Sequence, residues 1–313
     1  MGTRRADLGR GYAVALASAA VLSLTAIFIR YLTVNSNLPA LVLAFWREIL
    51  VALCLGAVLA VGRPALLRVR WDQLRFLLVY GVVLATFNAL WTVSVALNGA
   101  AVATVIAYSS AAFTALLGWW LLRESLGPGK VAAVALCLCG CVVVSGAWQA
   151  SAWQGNALGV ATGLLSGLAY SVYSLMGRRA AQMGISPWTA LLYTFAFAAL
   201  CMLAVNLSGA GVLPGTAANA AGILWPEGTA QGWGLLLALA AGPTLIGYGL
   251  YNLSLGLLPS STANLLATVE LVFTAIVAWL VLGERFTWAQ VLGSGLIWAG
   301  VLWLRLTEPN ESS

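Results

Sequence analysis

Long apolar runs, interrupted only briefly by polar residues, limit what this chain can fold into more than any other feature. Only 8% of the 313 residues are charged, 62% are hydrophobic, and the mean hydropathy is +0.95. An ordinary soluble domain carries roughly 25% charged residues. Nine acids and fifteen bases cannot coat a water-soluble globule of this length. The same numbers exclude a disordered chain and a nucleic-acid reader, and make the lipid bilayer the surface partner. At roughly 20 apolar residues per crossing, about ten helices use most of the chain.

Ten runs are found. The first half gives Gly11–Leu32, Pro39–Val61, Arg75–Leu97, Ala100–Leu122 and Lys130–Trp148. The second gives Asn156–Gly177, Ser186–Leu207, Trp233–Leu257, Ser261–Leu282 and Trp288–Leu306. The first is too long for a signal-peptide core. Prolines 39, 128, 187, 214, 226 and 259 fall in the breaks, where helices end. With the N-terminus in the cytoplasm, twelve of the fifteen bases lie on the inner side: Arg4, Arg5, Arg10, Arg63, Arg68, Arg70, Arg75, Arg123, Lys130, Arg178, Arg179 and Arg305. Arg30 and Arg285 fall outside, and Arg47 lies within a span. The net charge of +6 is therefore a topology label that puts both termini in the cytoplasm. Trp71, Trp148, Trp153, Trp188, Trp225, Trp233 and Trp288 fall near span ends, where aromatic belts form.

The two halves resemble each other. A shift of 160 residues carries Leu90, Ser94 and Leu97 onto Leu250, Ser254 and Leu257, and Phe113-Thr114-Ala115 onto Phe273-Thr274-Ala275. It also carries Trp119, Leu122, Glu124 and Gly140 onto Trp279, Leu282, Glu284 and Gly300. For the first two helices of each half the shift is 148, which pairs Gly11, Ser18, Arg30 and Pro39 with Gly159, Ser166, Arg178 and Pro187. The difference is a twelve-residue insertion near Ser208–Gly232. Repeats of five helices over residues 11–148 and 156–306 run in opposite directions, because five is odd. The predicted fold is thus all-α, with two inverted repeats around a central cavity.

These features resemble the drug/metabolite transporter superfamily in its ten-helix EamA-type form. The resemblance rests on Pro39 with Arg47, on Leu121-Leu122-Arg123-Glu124 and Val281-Leu282-Gly283-Glu284, and on Val269-Glu270 before Val272-Phe273-Thr274-Ala275. The family often has proline where this chain has Ala111 and Leu271, so its usual cause of a kink is absent. No carboxylate occurs in the first helix, so the glutamate-based proton exchange of the small four-helix relatives does not carry over. The resemblance implies export of small metabolites across a plasma membrane, a bacterial inner membrane, with amino acids, aromatic ones included, as the expected cargo. Purines, organic cations and other drug-like solutes are the alternatives within the same fold.

Ionisable residues inside a span are costly and mark functional positions. They are Arg47, Glu48 and Glu270. One reading gives Arg47 to a substrate carboxylate and Glu270 to a substrate amine or a proton; the other makes each a link between helices. Glu48 points away from Arg47 on the helix, so the two are not expected to pair directly. Candidate binding residues are Tyr80, Asn88, Trp91, Tyr108, Ser110, Tyr170, Tyr173, Tyr248, Tyr251, Asn252 and Glu270. Ring faces with a few hydroxyls and amides suit an amphipathic or aromatic solute, or a cation; packing within the bundle is the plainer reading of any one of them.

Gly155, Gly159, Gly163 and Gly167 form a small-residue face on the sixth helix, for packing, sliding or homodimerisation. A monomer or a weak homodimer is expected. The absence of histidine removes Ser-His-Asp catalysis, imidazole relays and His metal sites. Cys54, Cys137, Cys139, Cys141 and Cys201 lie in apolar runs and read as packing residues rather than metal ligands. No enzyme activity, cofactor or metal is expected. No Walker A sequence provides for ATP-driven pumping. A single-chain inverted repeat favours a carrier working by alternating access over a channel-like facilitator.

Overall fold

Hydrocarbon leaves a backbone no partner but itself, so apolar runs of this length fold as helices. The computed structural model describes residues 2–98, 100–149, 157–208, 211–225, 228–282 and 287–307. Trp153, Gly155, Asn156, Pro226, Gly283, Glu284 and Arg285 lie outside the described residues, as do the side chains of Arg4, Arg5, Arg30, Val281 and Leu282. Fourteen α-helices occupy the described chain, without a strand. They are α1 (Gly2–Leu22), α2 (Thr25–Val34), α3 (Ala40–Gly62), α4 (Trp71–Asn98), α5 (Ala100–Ala107), α6 (Ser110–Leu122) and α7 (Pro128–Val144), then α8 (Ala157–Gln182), α9 (Pro187–Ser208), α10 (Ala230–Leu239), α11 (Leu245–Leu257), α12 (Ser260–Ala267), α13 (Glu270–Leu282) and α14 (Trp288–Thr307).

Joined end to end where the chain bends within a span, these make ten passes. Nine are long and apolar enough to cross a membrane among the described residues. The fifth, α7, has 17 residues. It ends four residues before the predicted Trp148, because Gly146 takes φ +75° and turns the chain. The sixth pass runs on to Gln182, so Arg178 and Arg179 ride on α8 instead of a loop. Arg178 donates to the Leu255 and Gly256 carbonyls at the end of α11, where unpaired carbonyls favour a cation.

The fourth and ninth passes, read from sequence as continuous helices, are broken. The breaks lie at Tyr108-Ser109 and at Thr268-Val269, matching positions under the 160-residue shift, and neither holds a proline. Three-residue turns replace the α-helical bonds there: Ala111 donates to the Tyr108 carbonyl, and Leu271 to that of Thr268. Hydroxyls bonded back onto the backbone flank both breaks. Thr114 donates to the Ser110 carbonyl (2.6 Å), and Thr274 to that of Glu270 (2.9 Å). Such back-bonding bends helices. The eighth pass carries a different interruption, a π-helical turn over Ala240–Thr244 around Pro243.

Packing follows the repeat. α7 lies on α14 and α3 on α9, each helix against its own counterpart; α4 lies on α8 as α11 lies on α1. Small residues permit the first of these contacts. A Cβ on Gly140 would lie 2.7 Å from the Gly293 carbonyl oxygen and 2.7 Å from Ile297; one on Gly300 would lie 2.6 Å from Cys137 Sγ and 2.9 Å from the Ala133 carbonyl oxygen. Each pair of contacts is the other shifted by 160. Cys137 and Cys141 are buried on this α7 face and Cys139 is exposed, so the buried thiols act as small packing groups. The glycine face of α8 is likewise spent inside the chain. Gly163 meets Ser94 and Ile106, and Gly167 meets Ser109.

The insertion folds over one end of the bundle. Leu41 donates to the Gly215 carbonyl (2.8 Å), Asn206 to the Leu41 carbonyl (3.0 Å), and Trp46 to the Ile223 carbonyl (2.7 Å). Ala217, Ile223 and Trp225 pack with Leu32, Leu38, Val42 and Leu236 into a second small core. Trp225 is buried there, and Trp233 contacts both it and Trp46, so Trp225 is no belt residue. Trp71, Trp148 and Trp288 are exposed at span ends.

The α7–α14 contact gives a direct test. Gly300→Leu forces a side chain into Cys137 and the Ala133 carbonyl, and should cost about 1–3 kcal/mol. Gly295→Ala on the same helix meets nothing within 4 Å and should be neutral or stabilising. Thermal unfolding of the detergent-solubilised variants measures both.

Candidate functional site

Three helices aim polar faces at the centre of the bundle. Tyr170, Tyr173 and Ser174 on α8, and Tyr248, Tyr251 and Asn252 on α11, each follow the i, i+3, i+4 spacing that shares one helix face. Tyr80, Phe87, Asn88 and Trp91 come from α4. Two amides organise what lies between. Asn252 Oδ1 accepts from the Tyr80 hydroxyl (3.1 Å) and the Tyr173 hydroxyl (3.5 Å). Asn264 on α12 donates to Ser174 Oγ (2.9 Å) and the Tyr251 hydroxyl (3.4 Å), and accepts from Ser110 Oγ (3.0 Å). Ser174 and Tyr251 share a further bond of 2.7 Å. The rings pack on each other: Phe87 stacks on Tyr170 at 4.9 Å, Tyr170 on Tyr251 at 5.9 Å, and Tyr173 lies 4.6 Å from Tyr80.

The centre is therefore closed in this conformation. Two small cavities flank it. One of about 30 Å³ is lined by Ile29, Ala40, Leu43, Ala44, Arg47, Asn88, Trp91 and Thr92. The other, about 10 Å³, lies by Gly177, Ile185, Pro187 and Asn252. A water needs about 10–15 Å³ of such space, so neither admits a metabolite until helices move.

Asn88 links the two buried charges of α3. Its Oδ1 accepts from an Arg47 Nη (3.3 Å), and its Nδ2 donates to Glu48 Oε1. Arg47 and Glu48 are joined through this amide and form no direct ion pair, in keeping with their positions on the helix. Glu270 is the first residue of α13, beside the break, and its carboxyl interacts with Tyr108. It is partly exposed, whereas Glu48 is fully buried. Ser110 occupies the matching position at the start of α6.

A second polar cluster closes the bundle end that carries the α3–α4 loop. Glu124, just beyond α6, accepts four bonds at the start of α12: from the Ser260 and Ser261 backbone N–H groups (2.6 and 3.1 Å) and from both hydroxyls. A carboxylate suits the positive end of a helix and satisfies its orphan donors. Buried Lys130 adds a bond to Ser261 Oγ (3.1 Å). This contact joins the two halves of the chain.

Sequence reasoning reached every tyrosine of the central cluster and missed Phe87, Asn264, Ser174, Ser260 and Ser261. An amide between Ala263 and Leu265 in an apolar run was the available signal for Asn264. The serines gave none, since hydroxyls are common in such helices.

Opposed five-helix halves with helices broken near midspan define a membrane transporter of the inverted-repeat kind. The chain belongs to the EamA-like transporter family, whose model matches residues 9–146 and 157–306. It is similar to an uncharacterized transporter of Synechocystis sp., with 23% identity over 237 residues, 74% of this chain and 67% of that protein. An uncharacterized transporter of Archaeoglobus fulgidus is 25% identical over 144 residues, 46% of each chain. A protein known by crystal structure shares the fold, with a TM-score of 0.73 and 21% identity over 96% of this chain and 99% of its own.

The Glu124 contact should behave as a coupled unit. In a double-mutant cycle between Glu124→Gln and Ser261→Ala, a coupling of about 1 kcal/mol or more is expected in thermal stability. Strict additivity would remove the pairing.

Proposed function

We propose that this chain is a secondary carrier that exports small amphipathic metabolites by alternating access, with amino acids, aromatic ones among them, as the favoured class. The observation that carries the reading is the central cluster of tyrosines, built by helices of both halves and bridged by Asn252 and Asn264. Ring faces accept a flat apolar side chain, while hydroxyls and amides meet a polar head. The Nδ2 group of Asn252 is buried without a partner, a donor left over for a solute. Glu270 is our candidate for a substrate amine, with Tyr108 beside it. Tyr80, Asn88, Trp91, Ser110, Tyr170, Tyr173, Tyr248 and Tyr251 complete the proposed path.

Alternating access needs a closure at each end. Glu124 on Ser260 and Ser261 serves one end, and the insertion packed on the α2–α3 turn covers the other. The base distribution supports an inner, cytoplasmic position for the Glu124 end and for both termini, in a plasma membrane. The burial of the α8 glycine face within the chain favours a monomer over a dimer built on that face.

Reconstituted protein should give saturable, stereoselective flux and counterflow with aromatic amino acids, above that of purines and organic cations. Asn252→Leu should cut flux at least about tenfold, the loss of a buried hydrogen-bonding group. Glu270→Gln should do the same where Glu270→Asp keeps partial activity. Equal flux in all three variants would refute this site, and non-saturable flux would favour a channel.

A further inference from the structure

The inference concerns the Arg47–Asn88–Glu48 cluster and rests on the transport reading above. Arg47 is 7% exposed and Glu48 0% exposed, deep in α3. Asn88 bridges them, accepting from one and donating to the other. Two atoms remain without partners: Arg47 Nε and Glu48 Oε2. Arg47 and Asn88 also line the cavity of about 30 Å³, together with Trp91, Thr92 and four apolar residues. That volume holds about two waters, which is also about the size of a carboxylate head group.

We infer that this cavity binds the carboxylate of the solute against Arg47, and that Glu48 takes up one proton as it does so. A guanidinium presents its N–H groups as a fork that fits a carboxylate, and Arg47 lines the cavity. Trp91 offers a ring face to the rest of the ligand. The charge balance then decides the proton. Before binding, Glu48 must be ionised and balanced by Arg47 through Asn88; a Glu48 that already holds its proton gives no uptake in the titration below and overturns the inference. A second carboxylate puts two anions on one guanidinium in a site poor in water, where an uncompensated charge is costly. Among the described residues, the other titratable groups that interact with Glu48 are Cys201 on α9 and Tyr248 on α11, and neither supplies a second positive charge. A proton from water moving onto Glu48 restores neutrality: ligand carboxylate plus proton plus protein gives the protonated complex, with no covalent bond broken elsewhere. Carboxylate binding is therefore tighter at lower pH, by up to about tenfold per pH unit.

The test uses the full chain in lipid nanodiscs, with calorimetric titration of 3-phenylpropionate, L-phenylalanine and the neutral amide 3-phenylpropionamide between about pH 6 and pH 8, in buffers of different protonation enthalpy. Both carboxylates should bind with uptake approaching one proton, and the amide more weakly and without uptake. Glu48→Gln should keep the carboxylate preference and lose both the proton uptake and the pH slope. Arg47→Gln should lose the preference. If Arg47→Gln does not fold, Arg47→Lys keeps the charge without the Nε–H and should show a reduced preference. Equal binding of acid and amide, no binding of either acid, or proton uptake that survives Glu48→Gln overturns the inference. Flux in proteoliposomes is read separately. Proton-linked carboxylate binding without flux refutes the transport reading alone; flux that ignores the carboxylate refutes this inference alone.

Discussion

A polar group that enters a hydrocarbon layer is costly without a partner inside the protein, and most of the architecture follows from that cost, with Arg47 Nε, Glu48 Oε2 and Asn252 Nδ2 among the exceptions. The backbone avoids the cost by folding as helix. Where a helix stops within a span, the stop is covered: three-residue turns and hydroxyl back-bonds take over at Tyr108-Ser109 and Thr268-Val269. Side chains avoid it by converging. Asn252 and Asn264 each gather groups from two or more helices, so the central cluster fastens the two halves together as well as offering polar contacts.

The same cost accounts for the unequal ends of the repeat. Glu124 reaches two serines that open α12, and four donors converge on it. The 160-residue shift places Ala100 and Ala101 where those serines stand. The two halves therefore differ in the side-chain hydroxyls they offer at this point. The other end relies on the insertion, whose backbone bonds and small apolar core lie over the α2–α3 turn.

The sequence was legible wherever a property repeats along one segment. Apolar length gave the passes, and the matched order of Phe113-Thr114-Ala115 and Phe273-Thr274-Ala275 gave the repeat, which the paired packing of α7 on α14 and α3 on α9 reproduces. The position of the insertion could also be read, from the change of offset. Legibility failed where an outcome depends on neighbours. The family's usual cause of a kink is missing at Ala111 and Leu271, yet both helices are broken there, with hydroxyl back-bonds beside each break. Trp225 has the composition of a belt residue and became a core residue, because the insertion folds inward.

The residues by themselves determined a ten-pass helical membrane protein made of two opposed halves, and narrowed its buried charge to Arg47, Glu48 and Glu270. Those properties depend on hydrophobic length and count, which are additive along a chain. Tertiary structure alone decided that Asn88 would stand between Arg47 and Glu48, that Asn264 would join the tyrosines, and that Glu124 would cap α12. Each of these contacts joins residues dozens of positions or more apart, or else separate helices. Helical period sets the face a side chain occupies, but the rotation and depth of the neighbouring helix set which group it meets.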